Sequence, residues 1–192
     1  EFDLDYFNHG DYERAVSDKA QSETISKVLY PNDNVFEGRE LRLKQEFFLT
    51  SAALQDILRR YLASHMDLKA LPKYVAIQMN DTHPTMAVPE LMRILLDDAH
   101  LGWDQAWDLT QRTLAYTNHT LLPEALEKWP LEWFERFVPR YPEIIHEINR
   151  RHLDHARARF AGDEGRLANV SLIEEGATRK VRMANLAIVG SH

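Results

Sequence analysis

The sequence contains no cysteine, which excludes disulfide bonds and thiolate metal sites. This absence fits a reducing compartment, and we expect a cytoplasmic protein. No apolar run approaches the roughly 20 residues that a helix needs to cross a bilayer, so no membrane partner is expected. The sequence also lacks a glycine-rich phosphate loop and the Gly-x-Ser-x-Gly turn of a nucleophile elbow.

The composition is that of an ordinary globular chain, with 192 residues, 44% hydrophobic and 28% charged. A formal net charge of -7 makes the surface acidic, and an acidic surface repels phosphate backbones, so we expect no nucleic-acid partner. The chain begins without a methionine and stops inside the apolar run ANLAIVGSH. We therefore expect an excerpt from a longer protein.

Two apolar runs end abruptly in small polar residues, a histidine and a proline: VAIQMNDTHP at 75–84 and LAYTNHTLLP at 114–123. The pattern predicts buried strands over 73–79 and 113–116, joined by helices and therefore parallel, in an α/β fold. In open α/β sheets, ligands bind at the carboxyl ends of the strands. The candidate residues there are Asp81, His83 and His119.

The rest of the chain is predicted to be mostly helical, with one polar loop. The loop at 30–38 contains Pro31, Asn32, Asp33 and Asn34, which favour turns but could also meet sugar hydroxyls. The other predicted helices cover 11–29, 39–65, a stretch that begins at Pro89, 103–112 with Asp104 as its cap, and 143–160. A linker is predicted over 66–72, and short helices between prolines are predicted over 121–142. Strands are predicted over 170–173 and 180–182, and residues 183–189 are either helix or strand.

Several chemistries remain open for these residues. Asp81 and His83 could bind a hard metal together with His119, and His152 and His155 form a second pair, but no strong ligand spacing such as HExxH is present, so we predict no metal. Glycoside hydrolysis needs two carboxylates, and only Asp81 is well placed. The residues alone thus predict a polar site without specifying the reaction.

The paired cations Arg59 and Arg60 lie near the carboxyl end of the predicted helix 39–65. Cations at this position favour the helix dipole, and an adjacent arginine pair also suits phosphate recognition.

Longer blocks of the sequence resemble the glycogen (α-glucan, starch, maltodextrin) phosphorylase family over essentially the whole chain. The blocks are YPNDNVFEGRELRLKQEFF, AIQMNDTHPTMAVPELMR, AYTNHTLLPEALEKWP and IIHEINRR, in that order. The resemblance implies a helix-rich, partial Rossmann-like N-terminal domain of a two-domain glycosyltransferase of the GT-B type. Residues 1–192 would form a single segment of that domain, and the C-terminal pyridoxal phosphate domain would have no counterpart here.

The resemblance also implies an activity for the full-length parent. This activity is the reversible cleavage of terminal α-1,4-glucosidic bonds by phosphate, which gives α-glucose 1-phosphate. Pyridoxal phosphate would be the cofactor of the parent but is not expected in this segment, which should be inactive alone. The partners would be an α-1,4-glucan and phosphate, and the helix from Asp11 would contribute to a homodimer. The alternative is a non-catalytic sugar-binding or dimerisation module.

The family pattern assigns residue roles at the reacting centre. His119 would hold the sugar there, with its main-chain oxygen near a developing oxocarbenium ion. Asp81 and His83 would line the pocket beside the sugar. Asn34 would contact a glucosyl hydroxyl, and Asp33 would lie in the same gating loop.

The family pattern also bears on regulation. Arg59 and Arg60 match a pair that binds an effector phosphate, that of AMP, in regulated animal members. Val35 stands where those members carry a phenylalanine that stacks on aromatic inhibitors. The connection before the strand at 73–79 is also shorter than in the animal enzymes. These departures favour a bacterial-type enzyme with weaker or different regulation.

Overall fold

The computed structural model describes residues 2–120 and 122–192. The chain forms two compact units, of which the first ends at Leu49 and the second comprises Thr50–His192. The mixed α/β, helix-rich class predicted from the sequence is confirmed at that level. None of the described helices is both long and apolar enough to span a bilayer.

The first unit contains α1 (Leu4–Asn8), α2 (Tyr12–Lys27) and the beginning of α3 (Phe36–Leu62). Asp11 caps α2 as predicted, because its carboxylate accepts a hydrogen bond from the backbone N–H of Arg14. Helix α3 begins three residues before the predicted start, so the loop before it is shorter than expected.

The connection after α3 is more helical than the sequence predicted. A 3₁₀ turn (Leu68–Ala70) and α4 (Leu71–Tyr74) occupy the predicted linker and the beginning of the predicted strand. The carboxylate of Asp67 caps the turn, and Pro72 fits the first turn of α4, where its missing N–H costs nothing. The strand prediction over 73–79 was therefore wrong at its beginning.

Strands β1 (Ile77–Asn80) and β2 (Leu114–Thr117) form the predicted parallel pair, with Ile77 opposite Leu114 and Asn80 opposite Thr117. They are joined by α5 (Ala87–Arg93), a π-helical turn (Ile94–Asp98) and α6 (Trp103–Thr113). Gly102, not Asp104, is the N-cap of α6. The Asp104 carboxylate instead pairs with the Arg151 guanidinium at 2.5 Å.

The end of the chain forms a three-stranded antiparallel sheet surrounded by helices, in the order β3 (Lys128–Pro130), β5 (Lys180–Arg182), β4 (Ile173–Glu174). Strand β3 was not predicted, because a three-residue strand that ends in a proline is too short to show an alternation. The strand predicted over 170–173 was mostly wrong, because Val170 is the last residue of α9 and only Ile173 is in a strand. The helices are α7 (Leu131–Phe137), α8 (Arg140–Arg159), α9 (Glu164–Val170) and α10 (Met183–Val189).

The core of the second unit includes side chains from both β1 and β2. Burying each large apolar side chain contributes about 1.5–3 kcal/mol of transfer free energy. The fully buried side chains of this core include Met79, Leu91, Leu95, Leu114, Phe134, Ile144 and Ile145. One carboxylate, that of Glu90, lies in this core, and it accepts hydrogen bonds from Ser51 (2.7 Å), Tyr141 (2.8 Å) and Arg93 (2.9 Å).

Candidate functional site

The carboxyl ends of β1 and β2 are held together beyond the last paired residues. The backbone N–H of Asp81 donates to the carbonyl oxygen of Thr117 at 2.8 Å, which extends the parallel pairing by one hydrogen bond. The polar residues that follow each strand therefore lie side by side, as the sequence pattern predicted.

Asp81 has a left-handed backbone, with φ at 56°. This region is costly for most side chains but is tolerated by aspartate and asparagine. The Asp81 carboxylate accepts a hydrogen bond from the backbone N–H of His119 at 2.9 Å. Two hydrogen bonds between the strand ends thus hold Asp81 in this conformation and connect it directly to the histidine.

The ring of His119 also contacts the end of β1. Its Nε2 lies 3.0 Å from the side-chain oxygen of Asn80, and the histidine itself is exposed. Asn80 was not among the residues that the sequence singled out. The sequence signal that could have pointed to Asn80 is the alternation in IQMN, which puts Gln78 and Asn80 on the same exposed face of the strand.

The pKa of Tyr116 is affected by its burial and by the charge of Asp81. Burial raises the pKa of the Tyr116 phenol, and the negative charge of Asp81 raises the pKa further. Its buried hydroxyl has no hydrogen-bond partner within residues 2–120 and 122–192. The strand ends therefore combine a charged acceptor, an imidazole and a phenol.

The turn after Asp81 is fixed by a buried threonine. Thr82 is fully buried, and its hydroxyl donates to the carboxylate of Glu127 at 2.7 Å. His83 is the next residue in this turn and is half-buried. The structure therefore brings Asp81 and His119 into contact and leaves His83 two residues from Asp81 along the same turn.

The predicted loop residues Asp33 and Asn34 lie in the first unit, in a turn that side-chain contacts stabilise. The backbone N–H of Asn34 donates to the side-chain oxygen of Asn32 at 3.0 Å, and the Asp33 carboxylate lies 3.4 Å from the guanidinium of Arg42. The side chain of Asn34 is exposed. That Asn34 contacts a sugar remains a prediction.

This loop passes very close to the first turn of α3. A Cβ atom added at Gly38 would lie 1.7 Å from the main-chain oxygen of Asn32, so only glycine fits there. The guanidinium of Arg42 also lies over the ring of Tyr30, 5.9 Å from its centroid. These contacts fix the loop against the helix.

Arg59 and Arg60 share one carboxylate. The Asp56 oxygens lie 2.6 Å from Arg59 and 3.0 Å from Arg60, and all three side chains are mostly exposed. The hydrogen bond from Arg59 and the charges of both arginines lower the pKa of Asp56. Both guanidinium groups are therefore paired with a carboxylate of their own helix.

The described part of the chain contains no group of three or more histidine, aspartate or glutamate side chains that could hold a metal ion. The second histidine pair, His152 and His155, lies on α8. Burial lowers the pKa of His152, which favours its neutral form.

Comparisons with known proteins agree with the resemblance. The family model for carbohydrate phosphorylases matches residues 1–192. The chain is 54% identical over 200 residues to the brain form of glycogen phosphorylase from Homo sapiens, 55% to the liver form from Bos taurus and 56% to the liver form from Homo sapiens. In each case all of this chain is covered but only 24% of the relative, so the chain spans about a quarter of the length of these proteins.

Proposed function

Because this chain belongs to the carbohydrate phosphorylase family, we propose that it forms the sugar-facing part of an α-glucan phosphorylase. In this proposal the full-length protein cleaves terminal α-1,4-glucosidic bonds with phosphate and releases α-glucose 1-phosphate. The observation that carries the proposal is the hydrogen-bonded contact between Asp81 and His119 at the carboxyl ends of two parallel strands.

The chemistry of these strand ends suits a sugar. Hydroxyl groups need both donors and acceptors, and a carboxylate and an imidazole supply them at a position that the backbone has already fixed. We assign His119 to the glucosyl unit at the reacting centre, with its main-chain oxygen near the developing oxocarbenium charge, where a fixed dipole stabilises a transition state. Asp81 and His83 line the pocket beside the sugar.

The loop at 30–35 contains the other residues that we propose to contact a sugar. We assign the exposed side chain of Asn34 to a glucosyl hydroxyl and place Asp33 in the same gating loop. The contact between Asp33 and Arg42 supports a loop that is ordered against the helix α3.

Pyridoxal phosphate is the cofactor that the family implies. The strand ends, residues 80–84 and 117–120, contain neither a lysine to form a Schiff base nor an arginine to bind its phosphate. These residues do not fit the cofactor by themselves. We therefore propose that another part of the full-length protein binds it, and we assign no step of the reaction here to it.

We base the proposed architecture and location of the full-length protein on the same family. We propose that residues 1–192 form one segment of the Rossmann-like N-terminal domain of a cytoplasmic GT-B enzyme. The polar helix α2, in which Ala15 is buried but Val16 is 48% exposed, supports a role in a homodimer. Arg59 and Arg60 are proposed to bind an effector phosphate.

The proposal is tested by measuring glucose 1-phosphate formation from glycogen and phosphate. We expect the full-length protein to form the product and the 192-residue chain to form none. Turnover by the pure chain would contradict the assignment of a sugar-facing part. The alternative is a non-catalytic sugar-binding or dimerisation module. It is tested by calorimetric titration of the chain with maltooligosaccharides, because firm binding by the chain alone would favour it.

A further inference from the structure

We propose that Asn80 is a positioning residue that holds the His119 ring so that its Nδ1 atom is presented to a donating sugar hydroxyl. The inference rests on the proposed function, which places His119 against the glucosyl unit. It adds a residue that the sequence pattern did not assign, and it specifies which ring nitrogen contacts the substrate.

Two consecutive residues of one strand end both reach His119. Asn80 contacts the ring at Nε2, 3.0 Å from its side-chain oxygen, and Asp81 accepts from the backbone N–H at 2.9 Å. Neighbouring residues of a regular strand point to opposite faces. The left-handed φ of 56° at Asp81 breaks this alternation, so that both side chains can serve the same histidine.

The identity of the acceptor fixes the proton on the ring. An amide oxygen only accepts hydrogen bonds, so the Nε2 atom of His119 must carry its proton to pair with Asn80. In a neutral ring the Nδ1 atom then has a free lone pair and lies on the other side of the imidazole. A group that binds there must donate, and a sugar hydroxyl can donate.

Without Asn80, the ring could rotate about its terminal torsion and present either nitrogen. Fixing one orientation before the substrate arrives removes that freedom in advance, and small misplacements at a reacting centre cost large factors in rate. Asn80 thus acts through His119 and does not touch the substrate.

Three single variants test this role. Asn80→Leu keeps the branched shape and removes the acceptor, whereas Asn80→Asp keeps both the shape and an acceptor oxygen. The matched control is Gln78→Leu, because Gln78 lies on the same exposed strand face and makes a comparable cross-strand hydrogen bond, to the hydroxyl of Thr117 at 2.9 Å. The variants are compared at about pH 8.5, where histidine rings are neutral.

The first measurement is the nitrogen chemical shifts of the His119 ring in the 192-residue chain. We expect Nε2 to be protonated and Nδ1 unprotonated in the wild type, in Asn80→Asp and in Gln78→Leu. In Asn80→Leu both shifts should move towards the averaged values of an unconstrained ring. Unchanged shifts in Asn80→Leu would overturn the inference, because Asn80 would not be holding the ring.

The second measurement is the kinetics of the full-length protein. We expect Asn80→Leu to lower kcat/KM for the glucan about 10- to 100-fold while the KM for phosphate stays unchanged, and Asn80→Asp to recover most of the loss. Because Asn80 acts through His119, Asn80→Leu should cause no further loss when it is added to His119→Ala. A purely structural role would instead give multiplicative losses, and so would overturn the inference.

The outcomes separate this inference from the proposed function. If the wild-type full-length protein makes glucose 1-phosphate but Asn80→Leu matches it, the role of Asn80 is wrong and the function stands. If the wild-type protein makes none, the function is wrong, and the role of Asn80 in glucosyl transfer fails with it.

Discussion

The backbone N–H of His119 donates to the Asp81 carboxylate across 38 residues of sequence, at 2.9 Å. This single contact joins a residue with a strained backbone to the histidine that we place against the sugar. Its strength depends on an acceptor oxygen and on a side chain that tolerates a left-handed φ.

Substitutions at Asp81 should separate these two requirements. Asp81→Asn keeps an acceptor oxygen and the tolerance of a left-handed backbone, so we expect a loss of stability below about 1 kcal/mol. Asp81→Ala loses both and should lower the free energy of unfolding by about 1–3 kcal/mol, with a larger loss of activity. Urea unfolding followed by tryptophan fluorescence reports on this unit, because all four tryptophans, at positions 103, 107, 129 and 133, lie in it. Equal losses for both variants would show that the hydrogen bond to His119 is not what matters.

His119→Ala in the full-length protein should lower kcat/KM for the glucan by roughly one to three orders of magnitude, the scale of losing one preorganised contact. The side-chain change tests the main-chain role only through its effect on the position of the backbone. Steady-state formation of glucose 1-phosphate is the measurement, with His155→Ala on α8 as the control that should remain near wild type. A rate unaffected by His119→Ala would count against the site assignment.

Tyr141→Phe should destabilise the second unit by about 1–2 kcal/mol. The Tyr141 hydroxyl donates to the buried Glu90 carboxylate at 2.8 Å, and hydrogen bonds to charged groups are the stronger ones. The matched control is Tyr116→Phe, which removes a hydroxyl that lacks a hydrogen-bond partner among the described residues and should be nearly neutral. Urea denaturation compares the two, and the prediction fails if the control costs as much.

Glu147→Gln should make the second unit less stable at neutral pH but not at about pH 2. Hydrogen bonds from Arg150 and Arg151 lower the pKa of Glu147 to about 2, so its ionised form stabilises the fold above the ordinary glutamate range, and this contribution is lost as the pH falls towards 2. The side chain is 30% exposed and its partners are more so, and solvent screening limits the effect to about 0.5–1 kcal/mol. Unfolding free energies of both proteins, measured from pH 7 to pH 2, should converge at the acid end. A constant difference would show that the effect does not arise from the charge.

Asp56→Asn should strengthen binding of a phosphate-bearing effector at Arg59 and Arg60 by at most a few-fold, because the phosphate would no longer displace a carboxylate. Calorimetric titration of the full-length protein with AMP measures the change. Arg59→Gln is the companion variant, which should weaken binding. If neither variant alters the affinity, the arginine pair does not form the effector site.

The sequence predicted the parts of the fold that depend on long, regular patterns. The parallel pairing of β1 and β2 followed from two apolar runs with polar ends, and the long helix α3 followed from its apolar spacing. The helix over Leu71–Tyr74 and the strand over Lys128–Pro130 were missed, because each is too short to show a period and depends on contacts from distant residues. Asn80 was missed for a related reason. Alternation along IQMN places Asn80 on the exposed face, but no local pattern shows that its side chain meets a histidine 39 residues away.

The close approach of Gly38 to the main-chain oxygen of Asn32 has a consequence for protein engineering. The loop and helix backbones pack so closely at Gly38 that any side chain there would displace the loop. Libraries that vary Asn34 and Val35 can therefore test the proposed sugar contact while Gly38 and the Asp33–Arg42 contact stay unchanged. Any library that includes position 38 will mostly return misfolded protein.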